Sequence, residues 1–369
     1  MKVSVNKDDL NFATQTVTRI LTSKTGGTSA SIRLTAEDKK LTLTANDLEI
    51  AMSCQIDAEV LTPGAIVIPG KLLGEAVRRF PGQEVDLSVQ EGRQVLSLRS
   101  GFSELDLIGM ASTYFPELPD IADFSLLTVS QSLLKSMLKQ VSFAISTDDM
   151  RPILTGMLCE CRNNCLRMVA ADGFRVASRK EDIGPECPDG FRVVVPGRAV
   201  TEMARLLTDT EGSAQVAVGK NHILVKINDT TIISKLLEGN YLNVDQYLPT
   251  KFTTQVEVKP KALLDALERA SVVAKDGLAG TVRLHFAEGI LKIRAQSAEY
   301  GTHYEEWAVD MTGEPIEILF NIRVLGDVLK SVETGDIKLS FTGTLGPCVG
   351  RMAAQEDNYW SLAMPVRLS

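Results

Sequence analysis

Side chains that could perform catalysis or bind a metal are scarce in this 369-residue chain. The three histidines are His222, His285 and His303. Their scarcity removes most schemes for histidine-based catalysis and for zinc binding. Cys159, Cys161 and Cys165 form a C-x-C-x₃-C cluster, but it lacks a second cysteine pair and a nearby histidine. We interpret these cysteines as buried or half-buried free thiols, with a metal site as the weaker alternative.

Motifs of the common enzyme classes are also missing from the sequence. The patterns G-x-x-x-x-G-K-[ST], G-x-S-x-G and H-E-x-x-H do not occur. Ser132 and Lys135 match S-x-x-K, but the two leucines between them belong to a buried helical stripe. The adjacent acid pairs at 148–149 and 305–306 are more typical of solvated charge than of a metal site. We therefore expect a protein with no catalytic residues, no metal and no cofactor.

A base, an acid and a second base recur at positions i, i+4 and i+7 in three segments, 68–82, 195–209 and 320–334. The three sets are Lys71, Glu75 and Arg78; Arg198, Glu202 and Arg205; and Arg323, Asp327 and Lys330. The first bases of successive sets lie 127 and then 125 residues apart. Such regular spacing of a long pattern indicates that one unit has been triplicated.

The elements that carry these bases are predicted to be amphipathic helices. Apolar residues interleave with the charged positions at a helical period, so one face is buried and the opposite face is charged. Each repeat has an earlier helix of the same kind, at 8–21, 131–145 and 260–273. Between the helices, apolar and polar residues alternate with period two, which predicts strands joined by short polar turns. The fold class is therefore α+β, with two helices and several strands in each repeat.

Composition and length bound the class of protein further. Apolar residues make up 44% and charged residues 23%, which is ordinary for folded domains, and the length suggests two or three of them. Proline-containing stretches near 115–124 and 247–253 lead us to expect domains of 1–123, 124–250 and 251–369. No apolar run approaches the ~20 residues that span a bilayer, and no signal core opens the chain. We expect a cytoplasmic protein without a membrane partner.

Charge is unevenly distributed along the chain. The net charge is −8, yet the six predicted helices, at 8–21, 70–80, 131–145, 197–207, 260–273 and 321–332, together carry +5, so the remainder is strongly acidic. One explanation is local, because a base four residues from an acid stabilises its own helix by ~0.2–0.5 kcal/mol. The alternative is that the helices share a surface that faces a polyanion. No aromatic residues interleave with these bases, so such a surface would bind phosphate charge and shape rather than stacked bases.

The chain closes on the apolar stretch YWSLAMPVRLS, residues 359–369. Termini are usually polar and frayed, so this stretch needs an explanation. It is either an ordinary last strand or part of a surface that another molecule binds.

Taken together, these features resemble the bacterial sliding clamps, the beta subunits of DNA polymerase III. The resemblance covers the whole chain and rests on RPILTGML (151–158), ADGFRVAS (171–178), SKLLEGNY (234–241), FNIRVLGDVL (320–329) and MPVRL (364–368). It implies three clamp domains, each with two helices packed on antiparallel sheets, that form a crescent. Two crescents would close head to tail into a homodimeric ring around duplex DNA, loaded by a separate ATP-driven machine.

The resemblance also implies a role for the apolar C-terminal stretch. In this family the C-terminal strand walls a hydrophobic pocket that captures short linear peptides. The partners implied are the DNA polymerase III alpha subunit, the clamp loader, other polymerases and repair proteins. Carried over where the motifs match, the pocket residues are Leu154, Gly173, Arg175, Val176, Leu242, Asn321, Leu362, Met364, Pro365, Val366, Arg367 and Leu368.

Two further sets of residues follow from the resemblance. The bases expected to face DNA without reading its sequence are Lys24, Arg78, Arg79, Lys135, Lys139, Arg198, Arg205 and Lys330. The residues expected at the dimer interface are Lys71, Leu73, Leu105, Val272, Val273 and Glu299.

The sequence departs from the family pattern at several positions. Phe174 stands where histidine is frequent, Leu242 where proline is usual, and Gln246 where a base is common. The segment 21–32 lacks the Pro-Ile-Leu run that usually enters a strand of the first domain. Two alternatives therefore stay open, a specialised clamp paralogue and a clamp-like interaction scaffold that does not encircle DNA.

Overall fold

The computed structural model describes residues 1–21, 27–90, 92–119, 124–184, 190–274, 280–352 and 358–367. Its contacts divide the chain into two compact units. The first unit comprises Met1–Leu134 with Thr201–Leu236, and the second comprises Lys135–Val200 with Leu237–Ser369.

The part of the chain that the structure describes contains six α-helices. They are α1 (Lys7–Thr18), α2 (Gly70–Arg79), α3 (Gln131–Ser142), α4 (Gly197–Leu206), α5 (Pro260–Ser271) and α6 (Ile322–Lys330). All six predicted helices are confirmed, although each ends one to three residues earlier than predicted. The apolar pattern overshoots because residues just beyond each end, such as Ile20, are still buried while the backbone has left the helix.

Side-chain caps fix the start of two of these helices. The Asn6 side chain accepts hydrogen bonds from the backbone N–H groups of Asp8 (2.8 Å) and Asp9 (3.3 Å). The Asn321 side chain accepts in the same way from Arg323 (2.9 Å) and Val324 (3.2 Å) at α6. Each cap satisfies N–H groups that have no partner within the helix.

Twenty-six strands are found in the described residues. In chain order they are β1 (Lys2–Asn6), β2 (Ser31–Glu37), β3 (Lys40–Asn46), β4 (Ile50–Asp57), β5 (Glu59–Thr62), β6 (Gly64–Pro69), β7 (Glu84–Val89), β8 (Val95–Ser100), β9 (Ser103–Ile108), β10 (Ser125–Ser130), β11 (Gly156–Arg162), β12 (Cys165–Ala171), β13 (Arg175–Asp182), β14 (Phe191–Pro196), β15 (Ser213–Val218), β16 (His222–Ile227), β17 (Thr230–Lys235), β18 (Thr254–Val258), β19 (Thr281–Ala287), β20 (Ile290–Ser297), β21 (Gly301–Ala308), β22 (Asp310–Gly313), β23 (Ile316–Asn321), β24 (Ile337–Phe341), β25 (Cys348–Met352) and β26 (Tyr359–Ala363).

The first unit is built on two antiparallel sheets. Five strands run in the order β5-β1-β7-β8-β9, and eight run in the order β10-β15-β16-β17-β4-β3-β2-β6. Helices α1 and α2 pack on each other, and α1 also packs on β3 and β4. In the larger sheet, β17 of the second repeat pairs with β4 of the first, with Thr230 opposite Cys54 and Ile233 opposite Ala51. This pairing across a repeat boundary removes two exposed sheet edges.

The second unit repeats this plan with one nine-stranded and one four-stranded sheet. Their orders are β14-β11-β12-β13-β26-β25-β24-β18-β22 and β21-β20-β19-β23. Helices α5 and α6 pack on each other over an aliphatic core that includes a tilted contact between Phe286 and Phe341, with ring centroids 5.3 Å apart. The terminal strand β26 pairs with β13 of the preceding repeat, with Tyr359 opposite Arg179 and Leu362 opposite Val176.

The cysteine cluster lies on β11 and β12. Cys159 and Cys161 are buried on β11, Cys165 is half-buried, and all three are free thiols. Burial raises the pKa of the Cys159 thiol to about 12, so it stays protonated near neutral pH. Among the described residues no group of three or more His, Cys, Asp or Glu side chains is placed to hold a metal ion. Within the same residues, no helix is both long and apolar enough to cross a membrane.

Candidate functional site

Five of the predicted pocket residues come together in one apolar cluster of the second unit. They are Leu154, Val176, Leu242, Leu362 and Met364. Leu154, Val176 and Leu362 are buried, whereas Leu242 and Met364 are half-buried at the edge of the cluster. The cluster is therefore a packed floor with partly open aliphatic walls.

The terminal strand reaches this cluster through a defined register. After β26 ends, the Met364 N–H donates to the Phe174 carbonyl (2.8 Å), and the Val366 N–H donates to the Leu319 carbonyl (2.8 Å). These bonds hold the segment against β13 on one side and β23 on the other. Pro365 is buried, Val366 is half-buried and Arg367 is exposed. Leu368, the last predicted pocket residue, lies outside the described residues.

Tyr241 closes the floor of the cluster and was missed by the sequence analysis. Its hydroxyl accepts from the Ala171 N–H (3.1 Å) and donates to the Gly156 carbonyl (3.4 Å). Burial raises the pKa of this hydroxyl well above its ordinary value, so it remains a neutral donor. The sequence signal that could have identified Tyr241 is its position among apolar residues, directly after a Glu-Gly-Asn turn.

A surface ion pair braces the short turn that follows Tyr241. Arg167 donates to both carboxylate oxygens of Asp245, at 2.9 and 2.6 Å. These hydrogen bonds lower the pKa of Asp245 below its ordinary value of 3.8. Because Val244 belongs to the buried cluster, this pair helps to hold the wall that carries Leu242.

Arg175, Gly173 and Asn321, also predicted to belong to the pocket, are not part of this cluster and have different contacts. The Arg175 guanidinium binds Asp172 (Nε to Oδ2, 2.8 Å) and Asp327, and lies 5.7 Å from the centroid of the Phe143 ring. Gly173 has φ of +94°, a left-handed conformation that favours glycine, and a Cβ placed there would meet no neighbour within 4 Å. Asn321 is the cap of α6 described above, so its contribution to the pocket is structural.

A buried polar network behind β13 was also missed from sequence. Arg179 is only 4% exposed and donates to Ser136 (2.7 Å), Gln140 and Glu181 (3.0 and 2.6 Å). In the first repeat, Cys54 occupies the position on β4 that Arg179 occupies on β13, because each lies opposite the first residue of the strand paired with it. There, instead of a filled site, a cavity of about 710 Å³ is lined by side chains that include Cys54 and Phe12.

At the junction between the first and second repeats, the position that corresponds to the apolar cluster has a different lining. The Lys235 N–H donates to the Glu49 carbonyl at 2.9 Å, in the place of the bond from Met364 to Phe174. A cavity of about 280 Å³ there is lined by Lys235, Glu49 and His222. Desolvation and nearby Lys235 lower the pKa of His222. Charged lining makes this site a poor counterpart for apolar anchors.

The predicted DNA-facing bases are distributed over the helices of both units. Arg78, Arg79, Lys139, Arg205 and Lys330 are exposed, Lys135 and Arg198 are half-buried, and Lys24 lies outside the described residues.

Acidic partners of these helices differ in part from the predicted i, i+4 pairs. Arg79 approaches Glu75 at 3.8 Å, and Arg205 binds Glu202 at 2.6 Å. Glu202 is also approached at 3.6 Å by Arg19, the residue that caps the C-terminal end of α1. The repeated acid on α4 thus binds a base of a neighbouring helix in addition to one of its own.

The predicted dimer residues separate into two groups. Lys71, Leu105, Val272 and Glu299 are exposed, whereas Val273 is half-buried against the core. Leu73 is fully buried, so the expectation that it faces a partner is corrected. The apolar pattern of α2 predicts burial for its neighbour Leu72 as well, but Leu72 is 53% exposed. The helix is rotated so that Leu73 and Val77 point inward, and Leu72 is the leucine available to a partner.

Comparison with known proteins gives consistent results along the whole chain. Models of the N-terminal, central and C-terminal domains of the DNA polymerase III beta subunit match residues 1–119, 128–243 and 245–367. The beta sliding clamp of Bacillus subtilis is 31% identical over 379 residues and covers both chains completely. That of Staphylococcus aureus strain COL is 29% identical over 345 residues, covering 91% of each chain.

Solved structures agree with these sequence matches. The crystal structure of the Bacillus subtilis sliding clamp has a TM-score of 0.95 at 29% identity, with complete coverage of both chains. A Pseudomonas aeruginosa clamp bound to griselimycin gives 0.93 at 28% identity, again over both whole chains.

The chain therefore belongs to the DNA polymerase III beta subunit family, the beta sliding clamps. The predicted fold class, three clamp domains built from helices on antiparallel sheets, is confirmed. Membership makes the protein a non-catalytic sliding clamp of DNA replication rather than an enzyme.

Proposed function

We propose that the protein forms a head-to-tail homodimeric ring that encircles duplex DNA and tethers replication and repair proteins to it. The partners proposed are the DNA polymerase III alpha subunit, the clamp loader, other polymerases and repair proteins, each through a short peptide. The observation that carries this proposal is the open apolar cluster beside the terminal strand, in a chain of this family. Because the chromosome lies in the bacterial cytoplasm, we place the protein there.

The pocket is suited to a few apolar anchors rather than to a long interface. Leu242 and Met364 offer partly exposed aliphatic surface above a floor that includes Tyr241 and Leu362. Leu or Phe side chains of a peptide would bury their surface on these walls, which contributes ~25 cal/mol per Å². Binding energy would then be concentrated in a few contacts, as at most peptide-binding surfaces.

The strand pairing inside the chain supports the proposed ring closure. The last strand of one repeat pairs with a strand of the preceding repeat at both internal junctions, β17 with β4 and β26 with β13. The equivalent strands left over are β9 and β21, each the end strand of its sheet. The same register would place Ser103 of one copy opposite Glu305 of another, and Leu105 opposite His303.

Exposed apolar side chains at these two edges support that closure. Near β9, Phe102, Leu105 and Ile108 are exposed. Near β21, Tyr300 and Tyr304 are exposed, as is Val272 at the C-terminal end of α5, a helix that packs on β21. Pairing the edges would cover this surface and remove two strands that could otherwise aggregate.

Oligomeric state tests this proposal directly. We expect the wild-type protein to have the mass of two 40.2-kDa chains and a hollow small-angle scattering profile. Val272→Arg should give monomers, because it places an unpaired charge where apolar surface would be covered. Leu345→Arg, on an exposed loop residue that is 57% accessible, is the matched control and should remain dimeric.

A wild-type monomer at all concentrations would contradict ring closure by this chain alone. That outcome would favour the interaction scaffold, which keeps the peptide pocket but does not encircle DNA.

A further inference from the structure

A positively charged side chain lies over the outward face of the end strand β21. Tyr304 on β21 is 52% exposed and stands opposite Arg294 of β20. The guanidinium carbon of Arg294 is 5.2 Å from the centroid of the Tyr304 ring, which is a cation–π contact. The Tyr304 hydroxyl donates to Glu306, which stands opposite Lys292. Two bases and one acid give these side chains a net charge of +1.

The other end strand, β9, carries the opposite charge on one of its faces. Glu104 and Asp106 are exposed and point away from the side of buried Leu107, because alternate residues of a strand face opposite sides. Glu104 pairs with Arg99 of the neighbouring strand β8 at 3.0 Å, and both side chains are more than half exposed. Two acids and one base give a net charge of −1, so the two edges are complementary.

The register of the internal junctions would bring these two faces together. Extended to β9 and β21, that register sets Glu104 of one copy opposite Tyr304 of another. Residues directly opposite in an antiparallel pair share a face, with Cβ atoms ~4.5–5.5 Å apart. A row of Arg99, Glu104, Tyr304 and Arg294 would then cross four strands. In this row the Glu104 carboxylate lies between a guanidinium of its own chain and one of the other copy.

The internal junctions differ at these positions. The places of Arg294, Tyr304 and Glu104 are occupied by uncharged side chains, Thr44, Ser53 and Thr231 at the first junction and Val169, Ser178 and Trp360 at the second. Both internal junctions join strands of one chain, whereas the third must be found by a separate molecule. The charged row therefore occurs at the junction where a partner has to be recognised, which is where complementary charge gives specificity.

We propose that this charged row selects a second copy of the chain at the ring interface and fixes the register of β9 on β21. A slip of one residue would turn the charges of β9 to the other face of the sheet. A slip of two residues in one direction would set Glu104 opposite Glu306, a like charge. This inference rests on the proposed closure of the ring by β9 and β21.

Charge reversal with the two full-length variants Glu104→Arg and Arg294→Glu tests the inference. Each variant alone sets like charges against each other at both interfaces of a homodimer. Each should raise the dissociation constant of the dimer by roughly tenfold to hundredfold, measured by sedimentation velocity over a range of concentrations. An equimolar mixture should recover a dissociation constant within about threefold of wild type, because a head-to-tail heterodimer has opposite charges at both interfaces. Recovery would also show that both variants are folded.

Matched controls reverse single charges on strands that have neighbours on both sides. Lys226→Glu lies on β16 and Glu257→Arg lies on β18, and both side chains are exposed. Neither change should alter the dissociation constant of the dimer.

Dimers of either reversal variant that are as tight as wild type would overturn the inference. So would a mixture that stays as dissociated as its two components, or an equal loss in the control variants. A wild-type protein that is monomeric at all concentrations would instead contradict the proposed ring itself.

Discussion

At the scale of single residues, burial decides which charges matter in this protein. Most ion pairs on its surface are exposed and contribute little, with typical values of ~0–1 kcal/mol. Arg179 is different, because its guanidinium is enclosed by Ser136, Gln140 and Glu181. Such a network costs little when complete but leaves buried groups without partners when one member is removed.

Arg179→Met is expected to destabilise the second unit by about 2–4 kcal/mol, because it leaves Glu181 and Gln140 unsatisfied in the interior. Both tryptophans, Trp307 and Trp360, belong to this unit, so their fluorescence during urea unfolding reports on it. The matched control is Arg192→Met. Its side chain is 55% exposed and its partner Glu160 is also approached by Arg167 at 3.6 Å, so this change should cost less than about 1 kcal/mol. Equal effects of the two changes would contradict the account of the network.

A pH dependence follows from the ion pair of Arg167 and Asp245. Because the pKa of Asp245 is lowered in the folded state, its stabilising contribution is complete above its ordinary value of 3.8 and is lost as the pH falls through the lowered value. Asp245→Asn should therefore reduce the free energy of unfolding at pH 7, by less than about 1 kcal/mol for so exposed a carboxylate. The difference from wild type should shrink below pH 3.8, and a difference that grew there would refute this assignment.

At the scale of elements, the bases of α3 provide a test of the surface proposed to bind phosphates. Lys135→Ala with Lys139→Ala should weaken association with a labelled duplex and reduce the slope of log affinity against log salt by about one per lost phosphate contact. The control, Lys226→Ala with Lys251→Ala, removes the same charge from a strand and a loop. Identical salt slopes in the two double variants would count against a DNA-facing role for α3.

Elements were predictable to the extent that their signals are local. The six helices followed from apolar periodicity, and the hairpins followed from alternation between short polar turns. Leu72 shows the limit of such patterns. The apolar pattern of α2 includes two adjacent leucines, Leu72 and Leu73, and it does not say which of them faces the core. The apolar side chains of the pocket could be inferred from resemblance. In contrast, Arg179 reaches Gln140, 39 positions away, and the bond from Arg175 to Asp327 joins residues 152 positions apart. No short-range pattern encodes such contacts.

At the scale of the whole molecule, three repeats have come to differ where they meet. The register of Cys54, Arg179 and Glu305 is equivalent in the three repeats, yet one lines a cavity, one is enclosed in a network and one pairs with Arg269 at 2.5 Å. The junction that carries the apolar cluster is aliphatic and partly exposed, whereas its counterpart is charged. Triplication thus explains the sheets that the repeats share, and the substitutions at these positions give the junctions different linings.

The central claim is that the protein encircles DNA, and topology tests it most directly. The protein would be loaded by an ATP-driven clamp loader onto a nicked circular plasmid, freed of unbound protein by gel filtration, and followed while the circle is cut by a restriction enzyme. The account predicts co-elution with the intact circle and release once the DNA is linear, because a closed ring can slide off a free end. Retention that is unchanged by cutting would mean ordinary binding and would contradict encirclement.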